Sequence, residues 1–355
     1  EGTDSRALYQ IQDGQAYEGG LQNFRVILLS EDNNTLFTET NLMSNQHLGC
    51  TVIYNENEVY YHTGVRLKGS PAGRARDGDA YQSYNIHFPA DHLFRGVHAS
   101  VGIDRSGRAP VVRGQDEIYI KHMFNHAGIP SMYDDLVYLI VPKTSHIGSA
   151  LLMMARYEDV FLDSWWENGS EGTVFNLDYT YHPVTTVDGN PESLKPPMPD
   201  GEIATDFVYF GQDKETYRWP MQIKSNYRKD DFSGLINFCK TLSLPSAQLQ
   251  QQIENVMDVD EVARCMALGS LCGIADSYFT GAVHNLRVFV RPDQKVVALP
   301  WDMDFVFCAG TASPVLSAAG KIQQIFQLPG YRRLYYGHLQ DLVNTTFNTT
   351  YMTYW

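Results

Sequence analysis

Two short stretches carry the residue types that chemistry needs. Asp276 lies in Ala275-Asp-Ser-Tyr-Phe-Thr-Gly-Ala-Val-His-Asn285, and Asp302 and Asp304 lie in Leu299-Pro-Trp-Asp-Met-Asp304. An Asn beside a carboxylate offers the hard oxygen donors that Mg2+ takes. A further carboxylate nearby can orient or deprotonate a hydroxyl. A loop Asp, then an Asn, then an Asp after a strand pair is the order of parts in a phosphotransferase. Spacing alone fits a plainer set equally well: a helix-capping Asp, a turn Asn and an acidic surface loop. Trp301, wedged between Pro300 and Asp302, favours a packed turn over a solvated one.

These residues need elements to position them. The 3.6-residue periodicity predicts a helix over 259–274, started by Asp258 and leading into Asp276. Strands are predicted at 286–290 and 296–299 around the turn Arg291-Pro-Asp-Gln-Lys295. A hairpin brings its two ends together, so Asn285 and Asp302 should lie side by side. Further helices are predicted at 231–241, 246–257 and 323–344. The first half reads as β: strands at 24–29, 50–54, 59–67, 83–88, 136–141 and 150–155, with a tight turn at Asn55-Glu-Asn-Glu58. Helices at 116–127 and 159–166 interrupt it. Residues 68–78 form a basic loop with three glycines and three cations, and 180–202 read as a connecting or substrate-facing loop. Residues 1–20 are polar and read as a leader; 21–165 form a β-rich part and 166–355 a mainly helical one. The fold class is α+β.

The chain has 355 residues, with 27 Lys and Arg against 41 Asp and Glu, a formal net charge of −14. Length alone allows about two domain-sized cores or one unit of two lobes. An apolar fraction of 43% excludes intrinsic disorder. The acidic balance argues against a general nucleic-acid binder, while leaving room for a local basic cleft. No apolar run reaches the ~18 residues of a membrane span. Five cysteines occur with no CxxC pair, and Cys265 and Cys272, two turns apart on one helix, cannot bridge, so buried thiols are expected. The chain begins at Glu1 and carries sequons at Asn33, Asn168, Asn344 and Asn348. The sequons arise by chance in an Asn- and Thr-rich chain; export to the cell surface or medium is the expectation, drawn from a start without Met.

The catalytic stretch resembles the spore-coat protein H (CotH) kinase family. The carrying residues are His284-Asn285 and, after the hairpin, Pro300-Trp-Asp-Met-Asp304. Upstream, Val65-Arg-Leu-Lys-Gly-Ser70, Ser83-Tyr-Asn-Ile-His-Phe88, Leu93-Phe-Arg-Gly96, and Arg113 with the helix that ends at Gly128-Ile-Pro130 resemble the family's remaining segments in order. The resemblance implies a bilobal protein-kinase-like fold, with ATP and Mg2+ (or Mn2+) as cofactors and a protein Ser/Thr hydroxyl as acceptor. It implies Asp276 as the catalytic-loop Asp, Asn285 and Asp302 at the metal, Asp304 as a second metal ligand or a structural carboxylate, and Arg66, Lys68 and Arg76 toward nucleotide phosphates. The family's Lys before Ser-Tyr is Gln82 here, with Lys68, Arg74 and Arg76 as cations able to replace it. The family's Glu before the next helix is Ala155, and Thr280 stands where some members have the catalytic Asp.

Other sites carry less. His122 and His126 have zinc spacing but no intervening Glu. Gly69-Ser-Pro-Ala-Gly73 lacks the Gly-Lys-Ser/Thr of a P-loop, and no G-x-S-x-G elbow is present. Trp165 and Trp166 read as packing aromatics. Two hypotheses stand: a phosphotransferase, and a degenerate binding module for protein or glycan on the same scaffold, which Gln82 and Ala155 favour.

Overall fold

The computed structural model describes residues 13–71, 74, 82–104, 114–193 and 198–355. Seven strands of the first half are β1 (Gln22–Ile27), β2 (Leu48–Tyr54), β3 (Glu58–Leu67), β4 (Tyr84–His87), β5 (Ser100–Asp104), β6 (Asp134–Ile140) and β7 (Gly148–Met154). They close into a barrel in the order β1-β2-β3-β4-β5-β7-β6, sealed by a parallel β1–β6 pair. The β2–β3 hairpin forms where its turn residues foretell it, with Asn55 and Glu56 both at positive φ (48° and 60°).

Strand alternation sorts the side chains. Along β3, Val65 and Leu67 enter the barrel core with Phe24, Val52 and Ile86, so Arg66 faces outward, as does Lys68 just past the strand end. On β5, Val101 and Ile103 point in, and Gly102 and Asp104 point out. α1 (Ser30–Leu36) is a helix the sequence does not advertise. Only Leu36 of its seven residues is buried, so no periodicity marks it.

The second half is built on strands β8 (Thr173–Leu177), β9 (Thr180–His182), β10 (Gly201–Ile203), β11 (Met221–Ile223), β12 (Leu286–Val290) and β13 (Val296–Pro300). Four make a sheet in the order β11-β8-β12-β13, and β9 pairs with β10. The stretch expected as a plain loop at 180–202 is therefore bounded by two paired strands. Each is three residues long, too short for a periodic signal.

The helices are α2 (Gly114–His126), α3 (Asp159–Trp165), α4 (Glu215–Arg218), α5 (Ser233–Leu242), α6 (Ser246–Gln252), α7 (Val259–Leu271), α8 (Lys321–Ile325), α9 (Pro329–Thr345) and α10 (Thr349–Tyr354). Asp258 caps α7 as expected, accepting from the Glu261 amide at 3.2 Å. The helix expected over 323–344 is two helices, since Pro329 cannot donate inside one but suits a first turn. Among the described residues no helix is long and apolar enough to cross a membrane. All five cysteines are free, four of them buried.

Parity again divides the four-stranded sheet. Leu286, Val288, Val296 and Ala298 pack on the helices, in a core that also takes Ile120, Met123 and Phe124 of α2. Phe289, Val297, Leu299 and Val174 face the other way, toward Leu152 and Met154 on the outer wall of the barrel. The result is a barrel core, a helical core and an apolar middle layer between them. The α+β class is as expected; closure of the first seven strands into a barrel goes beyond what the sequence specified.

Candidate active site

The loop after α7 is tied by its own hydroxyls. Ser277 Oγ and Thr280 Oγ1 donate to the Ile274 carbonyl at 2.7 and 2.9 Å, so Thr280 is engaged in shaping the loop. Asp276 stands on this loop with its side chain half exposed, and its Oδ1 lies 2.8 Å from His284 Nε2. The His284 ring is buried and stacks on Tyr179, centroids 4.1 Å apart. Asn285, at φ 54°, donates from Nδ2 to the Asp276 carbonyl at 2.7 Å. That leaves its amide oxygen as the atom a cation can use. Asp276, His284 and Asn285 thus form one cluster at the entry to β12.

Asp302 and Asp304 form a second. The β12–β13 register sets Leu286 opposite Pro300, so Asp302 emerges at the Asn285 end of the hairpin. Asp302 takes φ 53°, in the left-handed region. Lys68 reaches it from the barrel: Nζ is 4.0 Å from Asp302 Oδ1 and bonded to Asp104. Burial works against the Lys68 charge, and the two carboxylates more than reverse it, so its pKa is raised. Asp304 is pushed up to about 9, by burial first and then by Asp302, Glu117 and Asp104.

Three acids that the sequence analysis passed over complete the site. Glu117 of α2 accepts from the Met303 amide at 3.4 Å and pairs with Lys121 at 2.8 Å, holding the Asp302–Asp304 turn from behind. Asp104 on β5 anchors Lys68. Asp178 directly follows β8, whose Leu177 lies opposite Leu286; burial and the nearby Asp302 raise its pKa, and His284 and the Tyr179 amide oppose them. Asp178 therefore sits between the two clusters. Thr173-Val-Phe-Asn-Leu177 has strand composition, and that signal could have found β8.

Of the proposed phosphate cations, Lys68 is in the site. Arg66 lies on the same outer face of β3, its Nη1 bonded to the Leu67 carbonyl at 2.8 Å. Arg76 and Arg113 fall outside the described residues. Arg74 is a structural staple: its guanidinium binds the carbonyls of Gly69, Leu42 and Ser44 and the Asn45 side chain. Gln82 is fully buried. His122 bonds Tyr351 at 2.7 Å, and both histidines of that pair lie against the Tyr351 ring. Among the described residues no three His, Cys, Asp or Glu side chains form a ready metal cage. The oxygen set at this site is an amide with two carboxylates.

Residues 204–354 match the family model described as CotH kinase protein, a segment that includes Asp276, Asn285, Asp302 and Asp304. No curated protein matches the chain. Among solved structures, the HipA–HipB toxin–antitoxin complex with operator DNA from Shewanella oneidensis MR-1 aligns at 11% identity and a TM-score of 0.31. That alignment covers 90% of this chain and 63% of the other.

Proposed function

We propose that this chain is an ATP- and Mg2+-dependent phosphotransferase of protein-kinase-like bilobal design, acting on a Ser/Thr hydroxyl of a protein outside the cell. The barrel serves as the nucleotide-covering lobe, and the sheet with its helices carries the catalytic loop. The observation that carries this reading is the approach of Lys68 Nζ to within 4.0 Å of Asp302 Oδ1 across the two parts. A lysine there can steady the nucleotide phosphates above the acid that holds their metal.

The donor set suits Mg2+, which favours oxygen ligands. Asp304 is raised by burial first and then by Asp302, Glu117 and Asp104, and a divalent cation among these carboxylates would oppose that rise. Asn285, Asp302 and Asp304 would hold that ion, and its chemistry when bound is to neutralise charge on the transferred phosphoryl group. With Asp276 Oδ1 taken by His284, Oδ2 is free to accept the proton of the acceptor hydroxyl. The hydroxyl oxygen then forms a bond to the γ-phosphorus as the bond to the β-γ bridging oxygen breaks, leaving ADP and a phosphoester.

The test is a thermal-shift titration with ATP and Mg2+ alongside a phosphate-transfer assay. Wild-type chain should melt higher with ATP and Mg2+ by mass action. Asp302→Asn, which tolerates a positive φ, should lose that shift. Asp276→Asn should keep the shift and lose transfer. Absence of any shift with Mg2+ or Mn2+ would sink the reading. It would leave the degenerate binding module, which the burial of Gln82 at the family's lysine position favours.

A further inference from the structure

Four cations in the layer between barrel and sheet make no ion pair, although Glu158, Asp302 and Asp104 lie near enough to act on Arg156, and Asp178 on Arg287 and Lys224. Arg66 makes one bond, to a main-chain carbonyl. Arg156 follows β7 and passes Gly102 together with Lys68: a Cβ on Gly102 would lie 3.5 Å from Arg156 Nη2 and 3.4 Å from Lys68 Cδ. Arg156 Nε is buried with no hydrogen-bond partner. Arg287 on β12 is 4% exposed, and its guanidinium carbon lies 3.3 Å from the Trp301 ring centroid; that of Arg156 lies 5.3 Å from the same ring. The hydrogen bond Arg287 makes is a long one, 3.4 Å from Nε to Asn176 Oδ1. Lys224 donates to Gln222 at 2.8 Å, and burial, then Arg287 and Arg156, lower its pKa to about 8.

Among the described residues, none of these four has a carboxylate oxygen within ion-pair distance, 4.0 Å. Glu158, close to Arg156 in sequence, spends its oxygens on the Ala99 and Ser100 amides and the Ser100 hydroxyl. Buried charge left without a counter-ion is costly, and the cost rises when like charges crowd one ring. In a chain of net charge −14, such a cluster is not a by-product of composition. Guanidinium forks match the geometry of phosphate oxygens, and Trp301 fixes the plane of one of them.

We propose that Arg156, Arg287 and Lys224, with Arg66 at the edge, form an anion site for a polyphosphate chain, binding it without a metal ion. A nucleoside triphosphate and inorganic polyphosphate share that chemistry. The first source deepens the nucleotide reading, since these residues supply the positive charge that the chain lacks at Gln82. The second does not depend on it.

The experiment is calorimetric titration of the full chain with tripolyphosphate in EDTA, and separately with ATP and Mg2+. Wild-type chain should bind tripolyphosphate in EDTA. Arg156→Gln and Lys224→Gln should each weaken that binding about tenfold or more, the scale of a lost charge-assisted bond, while Asp302→Asn should leave it intact. Lys224 is only part-buried, so its variant keeps the test valid if Arg156→Gln fails to fold. Tripolyphosphate that does not bind wild-type chain, or binds both Gln variants equally well, overturns the site. If tripolyphosphate binds through Arg156 and Lys224 while ATP with Mg2+ does not bind, the anion site stands and the nucleotide reading falls. If ATP with Mg2+ binds wild type and both variants alike and tripolyphosphate does not bind, the reverse holds.

Discussion

Lys68 owes its place at the cleft to strand parity: it lies one residue past the end of β3 and two along from the outward-facing Arg66. Lys68→Met should keep the fold, because Asp104 lies at the cleft edge, and should cut phosphate transfer by at least about a hundredfold, as expected when one charge-stabilising group is lost. Transfer at wild-type rate would remove Lys68 from the mechanism. A second residue, remote from the site, sets a pH dependence of stability. Glu261 on α7 accepts from the Ala298 amide at 3.2 Å through Oε2, while Oε1 is buried without a partner. Burial, assisted by Asp258, raises its pKa from 4.5 to about 8, against the pull of the Ala298 amide. Between those values the unfolded chain has released a proton that the folded chain still holds. Its contribution is therefore fully present below about 4.5 and is lost as pH rises toward 8. Urea midpoints of wild type and Glu261→Gln should converge at low pH and separate at pH ~8.5, with the variant the more stable. A gap unchanged with pH would refute this.

At the scale of elements, what could be read from sequence was what closes locally. The β12–β13 hairpin has its turn, alternation and flanking chemistry within one short stretch, and it formed where expected. The α7 start was equally plain, because an Asp cap acts on an amide three residues on. Asp258→Ala should cost about 1–2 kcal/mol in urea denaturation, the range for a lost cap. Its contact with Arg291 at 2.9 Å is partly exposed and adds little. A cost near zero would mean the cap is not formed in solution. β8 escaped notice because its partners, β11 and β12, lie far along the chain, and no turn announces them. With β8 went Asp178, whose position depends on that pairing alone.

Across the whole molecule, the middle layer fixes how the barrel meets the sheet, and hence how Lys68 meets Asp302. Phe289 lies at its centre, fully buried, with Trp166 at 4.8 Å; a Cβ on Gly172 would come within 2.3 Å of its ring. Phe289→Ala should cost about 3–5 kcal/mol, as large core truncations do. The same variant should lose the ATP-dependent thermal shift, because the lysine and the acid sit on opposite sides of that layer. A loss below about 1 kcal/mol would show the layer to be loosely packed. The sequence by itself determined the α+β class and the hairpin, because capping, turn chemistry and periodicity act over a few residues, and it singled out Asp276, Asn285, Asp302 and Asp304 as candidates. It also carried the resemblance to CotH kinases, which agrees with the family-model match over residues 204–354. Only the tertiary structure decided that the first strands close into a barrel, that Lys68 faces Asp302 while Arg74 does not, and that Asp178, Glu117, Arg156 and Arg287 surround the site. Those placements depend on pairings and packing between segments tens to hundreds of residues apart, where no local rule of sequence reaches.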